Sequence, residues 1–285
     1  MYKINNNCYT FKKIIFNKGF FDKSVDATYI IHLENNGRLN SIYNQLKQYI
    51  PTKIVYILFN KGYKKCKKQD YIYEPGHDLA DAFLTVFKDS KNKNYNNILI
   101  LEDDFFFDEK IKNQAICDNI NNFIINRKNE SYIYSLGCIP FLSMPYTKNT
   151  DILLIKLGTH SCIYSSKLID NTLLIPENNI KDWDIYTVLN CLKYNYYEPL
   201  CYQLFPVTEN SKYWSNKYFM SGDISKFLLK KMNLDKSVKP GYPFFYAFSK
   251  ILFYIIVIIF FVIIYFIYKY LTKNKIKFKK NKSIK

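Results

Sequence analysis

The feature that most constrains this chain is an uninterrupted apolar stretch near its C-terminus. Residues 251–268 read ILFYIIVIIFFVIIYFIY, without a charged residue or a helix breaker. Extended to Leu271, the stretch would form a helix about 32 Å long, enough to cross a hydrocarbon core of ~30 Å. A buried core helix is the alternative, but such a helix is rarely apolar on every face over this length. The pattern predicts a transmembrane helix over residues 251–271.

The flanks of this stretch give conflicting indications of orientation. The tail over residues 272–285 contains seven lysines, which the positive-inside rule would keep in the cytosol, with the domain on the opposite side. The N-terminal residues 1–21 contain no apolar signal-peptide region, and a C-terminal anchor without a signal peptide leaves the preceding domain in the cytosol. The sequence therefore predicts a single-pass membrane protein and leaves its orientation open.

The seven cysteines indicate free thiols. Their number is odd and no CxxC pair occurs, so neither a disulfide framework nor a zinc site is indicated. Buried free thiols are the expectation, which favours a reducing compartment for the domain.

The net charge of +17 invites a nucleic-acid interpretation, which other features oppose. Arg38 and Arg127 are the only arginines. The excess of lysine accompanies an excess of Asn, Ile, Tyr and Phe, as expected from AT-rich codons. The chain contains no zinc finger, RNP motif or stripe of alternating basic and aromatic residues. No nucleic-acid partner is predicted.

Periodicity indicates one α/β domain before the membrane segment. Short apolar runs typical of buried strands alternate with segments whose apolar residues recur at helical spacing, which predicts a parallel sheet over residues 24–236. Residues 1–23 are predicted to be an irregular lead-in, 237–250 a stalk, and 272–285 a basic tail. The predicted strands are Thr28–Leu33, Lys53–Phe59, Asn97–Leu101, Tyr132–Leu136, Ile152–Leu157 and Leu200–Phe205; helices are predicted from Leu39, from a cap at Asp78, and near Asp182–Tyr194.

The most informative motif is ILILEDDFFFD over residues 98–108. An apolar strand ends abruptly in Glu102, Asp103 and Asp104, and ligands of open α/β sheets bind beyond the carboxyl ends of the strands. Residues two apart on an extended backbone point the same way, so Glu102 and Asp104 are expected to face one site. Carboxylate oxygens are preferred ligands of Mg²⁺ and Mn²⁺. A helix cap or a solvated turn is the alternative, but three adjacent carboxylates repel one another unless a cation or solvent offsets them.

The order of motifs resembles glycosyltransferase family 25, the lipooligosaccharide and collagen galactosyltransferase group with a GT-A fold. The LILEDD segment at residues 99–104 is the sharpest match, and the similarity covers roughly residues 27–215. The other matching segments are Tyr29–Leu33 with the downstream Arg38, His77 and the helix after it, Gly158–Ser165, and Asp182–Asp184.

This resemblance implies a fold and a reaction. The fold would be a Rossmann-like mixed sheet of the GT-A type with flanking helices. The reaction would transfer a hexose, galactose or glucose, from a nucleotide sugar that is expected to be UDP-linked. The acceptor would be a hydroxyl of a glycan, a lipid or a protein, and the transfer would need Mn²⁺ or Mg²⁺ and invert the anomeric carbon.

The resemblance also implies roles for individual residues. Asp104, with Glu102 or Asp103, would hold the metal and the diphosphate, and His160 would be a further metal ligand, an acceptor contact or a structural histidine. The donor would be contacted by Arg38, His77 and Asp103. The base that deprotonates the acceptor would be Asp182 or Asp184, and a helix cap is the other interpretation of either residue.

Two departures from the family pattern leave a second interpretation open. Residues 34–37 replace the family's usual dibasic stretch before its arginine, and the C-terminal anchor is foreign to the pattern. The alternative is a non-enzymatic membrane protein with a degenerate glycosyltransferase fold.

Overall fold

A computed structural model describes residues 1–5, 7–203, 227, 230–232, 234 and 241–282, and of 273–282 only the helical backbone. The described part has a seven-stranded sheet in the order β1-β3-β2-β4-β7-β6-β8 and a two-stranded sheet of β5 and β9. The strands are β1 Tyr9–Ile15, β2 Ala27–Leu33, β3 Ile54–Asn60, β4 Ile98–Glu102, β5 Phe105–Phe107, β6 Tyr132–Thr147, β7 Thr150–Tyr164, β8 Leu192–Tyr196 and β9 Cys201–Gln203. The helices are α1 Leu39–Gln48, α2 Pro75–Asn92, α3 Gln114–Ile125, α4 Ser166–Leu173, α5 Trp183–Asn190 and α6 Gly241–Lys282, with 3-10 turns at Glu109–Lys112 and Glu177–Asn179.

The large sheet lies between two layers of helices. Strands β2, β3 and β4 are parallel, whereas β7 runs antiparallel to β4 and β6 antiparallel to β7. One apolar cluster joins the sheet to α1 and α3, and a second joins the opposite face to α2, α4 and α5. Because both faces are covered, the central strands are apolar without alternation, as in β4, where Ile98 to Leu101 are fully buried. The predicted mixed α/β sheet with flanking helices is confirmed.

Strands β6 and β7 form a long, irregular hairpin. Their pairing shifts register at several points between Ser135 and Thr147, and such bulges bend a hairpin. Strand β8 pairs with the beginning of β6 and also with the beginning of β7. Gly137 lies where this bend meets β9: a Cβ atom there would be 1.7 Å from the carbonyl oxygen of Cys201. The bend therefore brings β9, and with it Gln203, against the main sheet.

The N-terminal segment differs from the expectation. Residues 9–15, predicted to be part of an irregular lead-in, form the edge strand β1, antiparallel to β3. Polar and lysine residues interrupt its apolar residues because one face of an edge strand meets solvent. The predicted cap at Asp78 is also wrong: α2 begins at Pro75 with Glu74 as its cap residue, and Asp78 lies in the first turn.

The cysteine prediction is wrong for one pair. Cys8 and Cys66 form a disulfide with a Cα–Cα distance of 5.6 Å, within the usual range. Separated by 58 residues, they gave no local spacing signal. The other five cysteines are free, and all except Cys191 are buried.

Helix α6 begins inside the domain. The predicted stalk is helical from Gly241 onward, and its residues 237–240 lie outside the described part. Ser249 pairs with Ser143 of β6 at 2.7 Å, and the Lys250 ammonium contacts the Asp151 carboxylate at 2.9 Å. Beyond these contacts the helix is apolar. The most apolar 18-residue stretch within residues 241–272 has a mean hydropathy of 3.1, and no part of that stretch is buried. Among the described residues, α6 is the one helix that is both long enough and apolar enough to cross a membrane.

Candidate functional site

The acidic motif lies at the carboxyl edge of the parallel strands. Strand β4 ends at Glu102, and Asp103 and Asp104 form the turn into β5. Strand β2 lies beside β4 and ends at Leu33 at the same edge. The loop between Leu33 and α1, which contains Arg38, therefore faces the acidic turn.

The Asp103 carboxylate is held entirely by protein donors. It accepts hydrogen bonds from the His32 ring at 3.1 Å, the Leu33 backbone N–H at 3.0 Å, the Asn36 amide at 2.5 Å and the Arg38 guanidinium at 2.7 Å. Burial alone would raise the pKa of Asp103, but the hydrogen bond from His32 and the charge of Arg38 lower it. These contacts favour a structural role for Asp103 over the predicted donor-binding role. Its carboxylate connects the β2–α1 loop to the acidic turn through hydrogen bonds.

Arg38 bridges two of the acids. Its Nη1 lies 2.7 Å from Asp103 and 3.0 Å from Asp104. Burial lowers the pKa of its guanidinium, but the charges of Asp104 and Asp103 outweigh burial and raise it. The predicted phosphate contact of Arg38 would have to share the guanidinium with these two carboxylates.

Asp104 is buried with less compensation than Asp103. The Gln203 side-chain amide donates to both carboxylate oxygens, at 3.0 and 3.1 Å, and the positively charged Arg38 guanidinium donates to one of them. Burial nevertheless raises the pKa of Asp104 to about 6, with the charge of Arg38 opposing it and that of Asp103 adding to it. The positive charge of Arg38 therefore compensates only part of the cost of burying the ionised Asp104 carboxylate.

Glu102 contacts strand β7. Its Oε1 accepts a hydrogen bond from the Thr159 hydroxyl at 3.0 Å. Burial raises its pKa well above the ordinary value, and the charges of Asp104 and Asp184 raise it further. Glu102 and Asp104, predicted to face one site, do interact electrostatically, and Asp184 joins them from α5.

The two aspartates at the start of α5 have different surroundings. The Asp182 carboxylate caps the helix by accepting from the Ile185 backbone N–H at 3.1 Å. Asp184 points to strand β7, where hydrogen bonds with Thr159 and the Gly158 backbone and the charge of Lys156 lower its pKa, but burial dominates and raises it. The structure thus assigns the capping interpretation to Asp182 and brings Asp184 to Glu102.

The two predicted histidines have other partners. His160 is fully buried, its Nε2 lies 3.5 Å from the Cys201 carbonyl oxygen, and burial lowers its pKa to about 3. His77 lies in the first turn of α2, 3.5 Å from Glu74 and with its ring edge-on to Tyr73. The contacts of the His160 ring are with Cys201 and Tyr242, so the geometry does not favour His160 as a metal ligand.

A metal site must therefore be judged on the carboxylates alone. Among the described residues, no group of three His, Cys, Asp or Glu side chains is arranged to hold a metal ion. Mg²⁺ is nevertheless commonly bound by one or two carboxylates together with substrate phosphates and water. Glu102 and Asp104 are the two carboxylates at this edge that would have to meet that smaller requirement, and Asp104 already accepts hydrogen bonds from Arg38 and Gln203.

Sequence reasoning missed two residues that shape the site. Thr159 lies in the segment 158–165 singled out above, but no pattern indicated that its hydroxyl reaches Glu102. Gln203 lies in a predicted strand, and its contact with Asp104 arises only because β9 pairs with β5, with Gln203 opposite Phe105.

Comparisons with known proteins give remote likenesses only. The sequence matches no protein-family model and no curated protein. One similar solved structure is the crystal structure of A197 from STIV, with 12% identity, a TM-score of 0.38, and coverage of 64% of this chain and 86% of that chain. Another is apo-UDP-glucose pyrophosphorylase, with 8% identity, a TM-score of 0.32, and coverage of 60% of this chain and 72% of that chain. These likenesses are too remote to assign a family or an activity, and membership of glycosyltransferase family 25 stays a prediction.

Proposed function

We propose that this chain is a membrane-anchored glycosyltransferase that transfers a hexose from a nucleotide sugar to an acceptor hydroxyl with the help of a divalent cation. The observation that supports this most directly is the group of carboxylates formed by Glu102, Asp104 and Asp184. Burial raises the pKa of all three, and the charges of Asp104 and Asp184 raise that of Glu102 further. A fold seldom retains such destabilising charge at the ligand-binding edge of a sheet without a use for it.

Glu102 and Asp104 would hold the cation, which we propose to be Mn²⁺ or Mg²⁺. When bound, such an ion supplies positive charge that stabilises a leaving diphosphate. Asp103 keeps Arg38 and the β2–α1 loop fixed beside these two carboxylates. Gln203 fixes the orientation of the Asp104 carboxylate through both of its oxygens.

Asp184 is the proposed base. A base that accepts a proton from a hydroxyl near pH 7 needs a pKa raised toward neutrality, and burial raises that of Asp184. Its charge acts on Glu102 and its carboxylate contacts Thr159, which supports a base beside the proposed metal ligands. Asp182 is unsuited because its carboxylate caps α5.

The donor would extend from the acids toward the N-terminus of α2. Tyr73 is 65% exposed there, next to His77, and an exposed aromatic ring offers a stacking surface for a nucleobase. We assign the nucleoside to this end and the diphosphate to the acids.

The disulfide bears on the orientation in the membrane. Disulfides persist in oxidising compartments and are rare in the cytosol. The Cys8–Cys66 bond therefore supports a domain outside the cytosol, the same orientation that the seven lysines of residues 272–285 support through the positive-inside rule. The sequence favoured a reducing compartment because all seven cysteines were expected to be free thiols. That expectation is wrong for Cys8 and Cys66.

The proposed reaction is tested with the full chain in detergent micelles. UDP-hexoses are screened for donor hydrolysis and transfer, with and without Mn²⁺. We expect Glu102→Gln and Asp104→Asn each to reduce metal-dependent turnover by about a hundredfold or more, as when a principal electrostatic contact is removed.

The two aspartates of α5 provide a matched pair for the base. Asp184→Asn should reduce turnover by about 10²–10⁴-fold. Asp182→Asn should retain it, because asparagine caps helices as well as aspartate does. Equal losses in both variants would refute the assignment of Asp184.

The competing function is a non-enzymatic membrane protein with the same fold. Its support is that Arg38 and Gln203 already occupy Asp104, as expected of a closed, structural ion pair. Absence of Mn²⁺-dependent nucleotide binding and of turnover with every donor would favour it over the enzyme.

A further inference from the structure

The first turn of α6 reaches the acidic site. The Tyr242 side chain is fully buried, with its ring edge-on to Tyr202 at 5.2 Å and to His160 at 6.4 Å. It belongs to a small apolar cluster, separate from the two main ones, that also contains Ile139 and Phe245. The cluster holds the beginning of α6 against β6 and β9.

The Tyr242 hydroxyl holds both backbone groups of Gln203. It donates to the Gln203 carbonyl oxygen at 2.7 Å and accepts from the Gln203 N–H at 2.9 Å. One hydroxyl thus fixes the peptide groups on either side of a single Cα atom, which leaves the Gln203 backbone little freedom.

The Gln203 side chain continues this connection to the site. Its amide donates to both oxygens of Asp104, and its backbone lies opposite Phe105, the residue that follows Asp104. Gln203 therefore touches the acidic turn through its side chain and through the β5–β9 pairing. A shift of Gln203 would move its amide away from Asp104 and loosen the beginning of β5.

We infer that Tyr242 is a positioning residue that acts through Gln203 on Asp104, so that the site is complete only when α6 is seated against the domain. This inference rests on the proposed function insofar as Asp104 takes part in catalysis. It also means that a fragment ending before α6 lacks a residue that orients the site, so activity must be measured on the full chain.

The experiment compares Tyr242→Phe with Tyr246→Phe in the full chain in detergent. Tyr246 is also buried and lies one turn later on the same helix, but its hydroxyl lies near the Cys138 sulfur at 3.8 Å rather than near the site. Each variant removes one hydroxyl and keeps the ring, so the loss of packing is matched. Hydrogen exchange at residues 102–107 and 201–203 is followed by mass spectrometry, and turnover is measured against Mn²⁺ concentration.

For Tyr242→Phe we expect exchange at residue 203 to rise at least three- to tenfold, because the variant removes two hydrogen bonds and each has a net worth of about that factor. The Mn²⁺ concentration for half-maximal turnover should rise by a similar factor, whereas Tyr246→Phe should change neither quantity. Unchanged exchange in Tyr242→Phe, or equal changes in both variants, would overturn the inference. If the wild-type chain is inactive with every donor, the proposed function fails, and the exchange measurement still decides whether Tyr242 positions the acidic turn.

Discussion

Replacing Asp104 by asparagine should make the domain more stable at neutral pH, while it reduces the proposed turnover by about a hundredfold or more. The ordinary pKa of this carboxyl is 3.8 and its pKa in the folded domain is about 6. At ~1.36 kcal/mol per pKa unit, the ionised carboxylate destabilises the folded state by about 3 kcal/mol at pH 7. Asparagine removes this cost.

The gain is reduced by the new amide group. Arg38 and Gln203 both donate to Asp104, so the NH₂ group of an asparagine would face a donor, at a cost of about 1–2 kcal/mol. The net stabilisation at pH 7 is therefore about 1–2 kcal/mol. For a domain of this size it corresponds to an increase in Tm of roughly 2–8 °C.

The pH dependence separates this explanation from a general change in packing. A carboxyl with a raised folded-state pKa has its full stabilising effect below pH 3.8 and loses it as the pH rises through about 6. The Tm of Asp104→Asn should therefore exceed that of the wild type at pH 7 and fall below it near pH 4, where only the amide cost remains.

The assay is thermal unfolding of the full chain in detergent at a series of pH values. Near-UV circular dichroism reports on the domain, because the Trp183 ring is stacked on Phe83 at 4.7 Å. A difference in Tm that has the same sign at pH 4 and pH 7, or a variant less stable at both, would refute the reasoning.

Three further predictions concern the frame around the site. Asp103→Asn should reduce the free energy of unfolding by about 3 kcal/mol, because Arg38 and the other donors lose a buried charged partner, and near-UV circular dichroism should show a lower Tm; an unchanged Tm would contradict this. Cys8→Ser should cost ~4 kcal/mol by removing a disulfide that closes a loop of 58 residues, and a reducing agent should lower the Tm of the wild type but not of the variant. Gly137→Ala should abolish folding, because its Cβ would be 1.7 Å from a carbonyl oxygen; a monodisperse peak in size-exclusion chromatography would contradict this.

Local pattern was sufficient to predict the centre of the fold. Strands β2, β3 and β4 are apolar throughout and bounded by polar residues, and the helices between them have clear apolar faces. Strand β1 was missed because an edge strand exposed to solvent has no continuous apolar run. Most of the length of β6 and β7 was missed because bulges and exposed residues interrupt their alternation.

The candidate site was predictable only where neighbours in sequence are also neighbours in space. The acidic motif at residues 102–104 met this condition. The sequence did not reveal that Asp103 is saturated by donors from the β2–α1 loop, because those contacts depend on how the loop closes. The contacts of Gln203 and Tyr242 join segments far apart in sequence, and no spacing rule indicates them.

The seating of α6 on the domain has a consequence for how an inserted chain of the proposed function would meet an acceptor. About nine residues separate Tyr242 from Ile251, or ~14 Å of helix, and the Lys250–Asp151 ion pair leaves no flexible joint among them. The acidic edge would then be held at a constant height above the lipid, and the whole domain would diffuse laterally with its anchor. Encounters with other membrane components would become a two-dimensional search, in which the depth at which an acceptor hydroxyl is presented decides whether it can be reached.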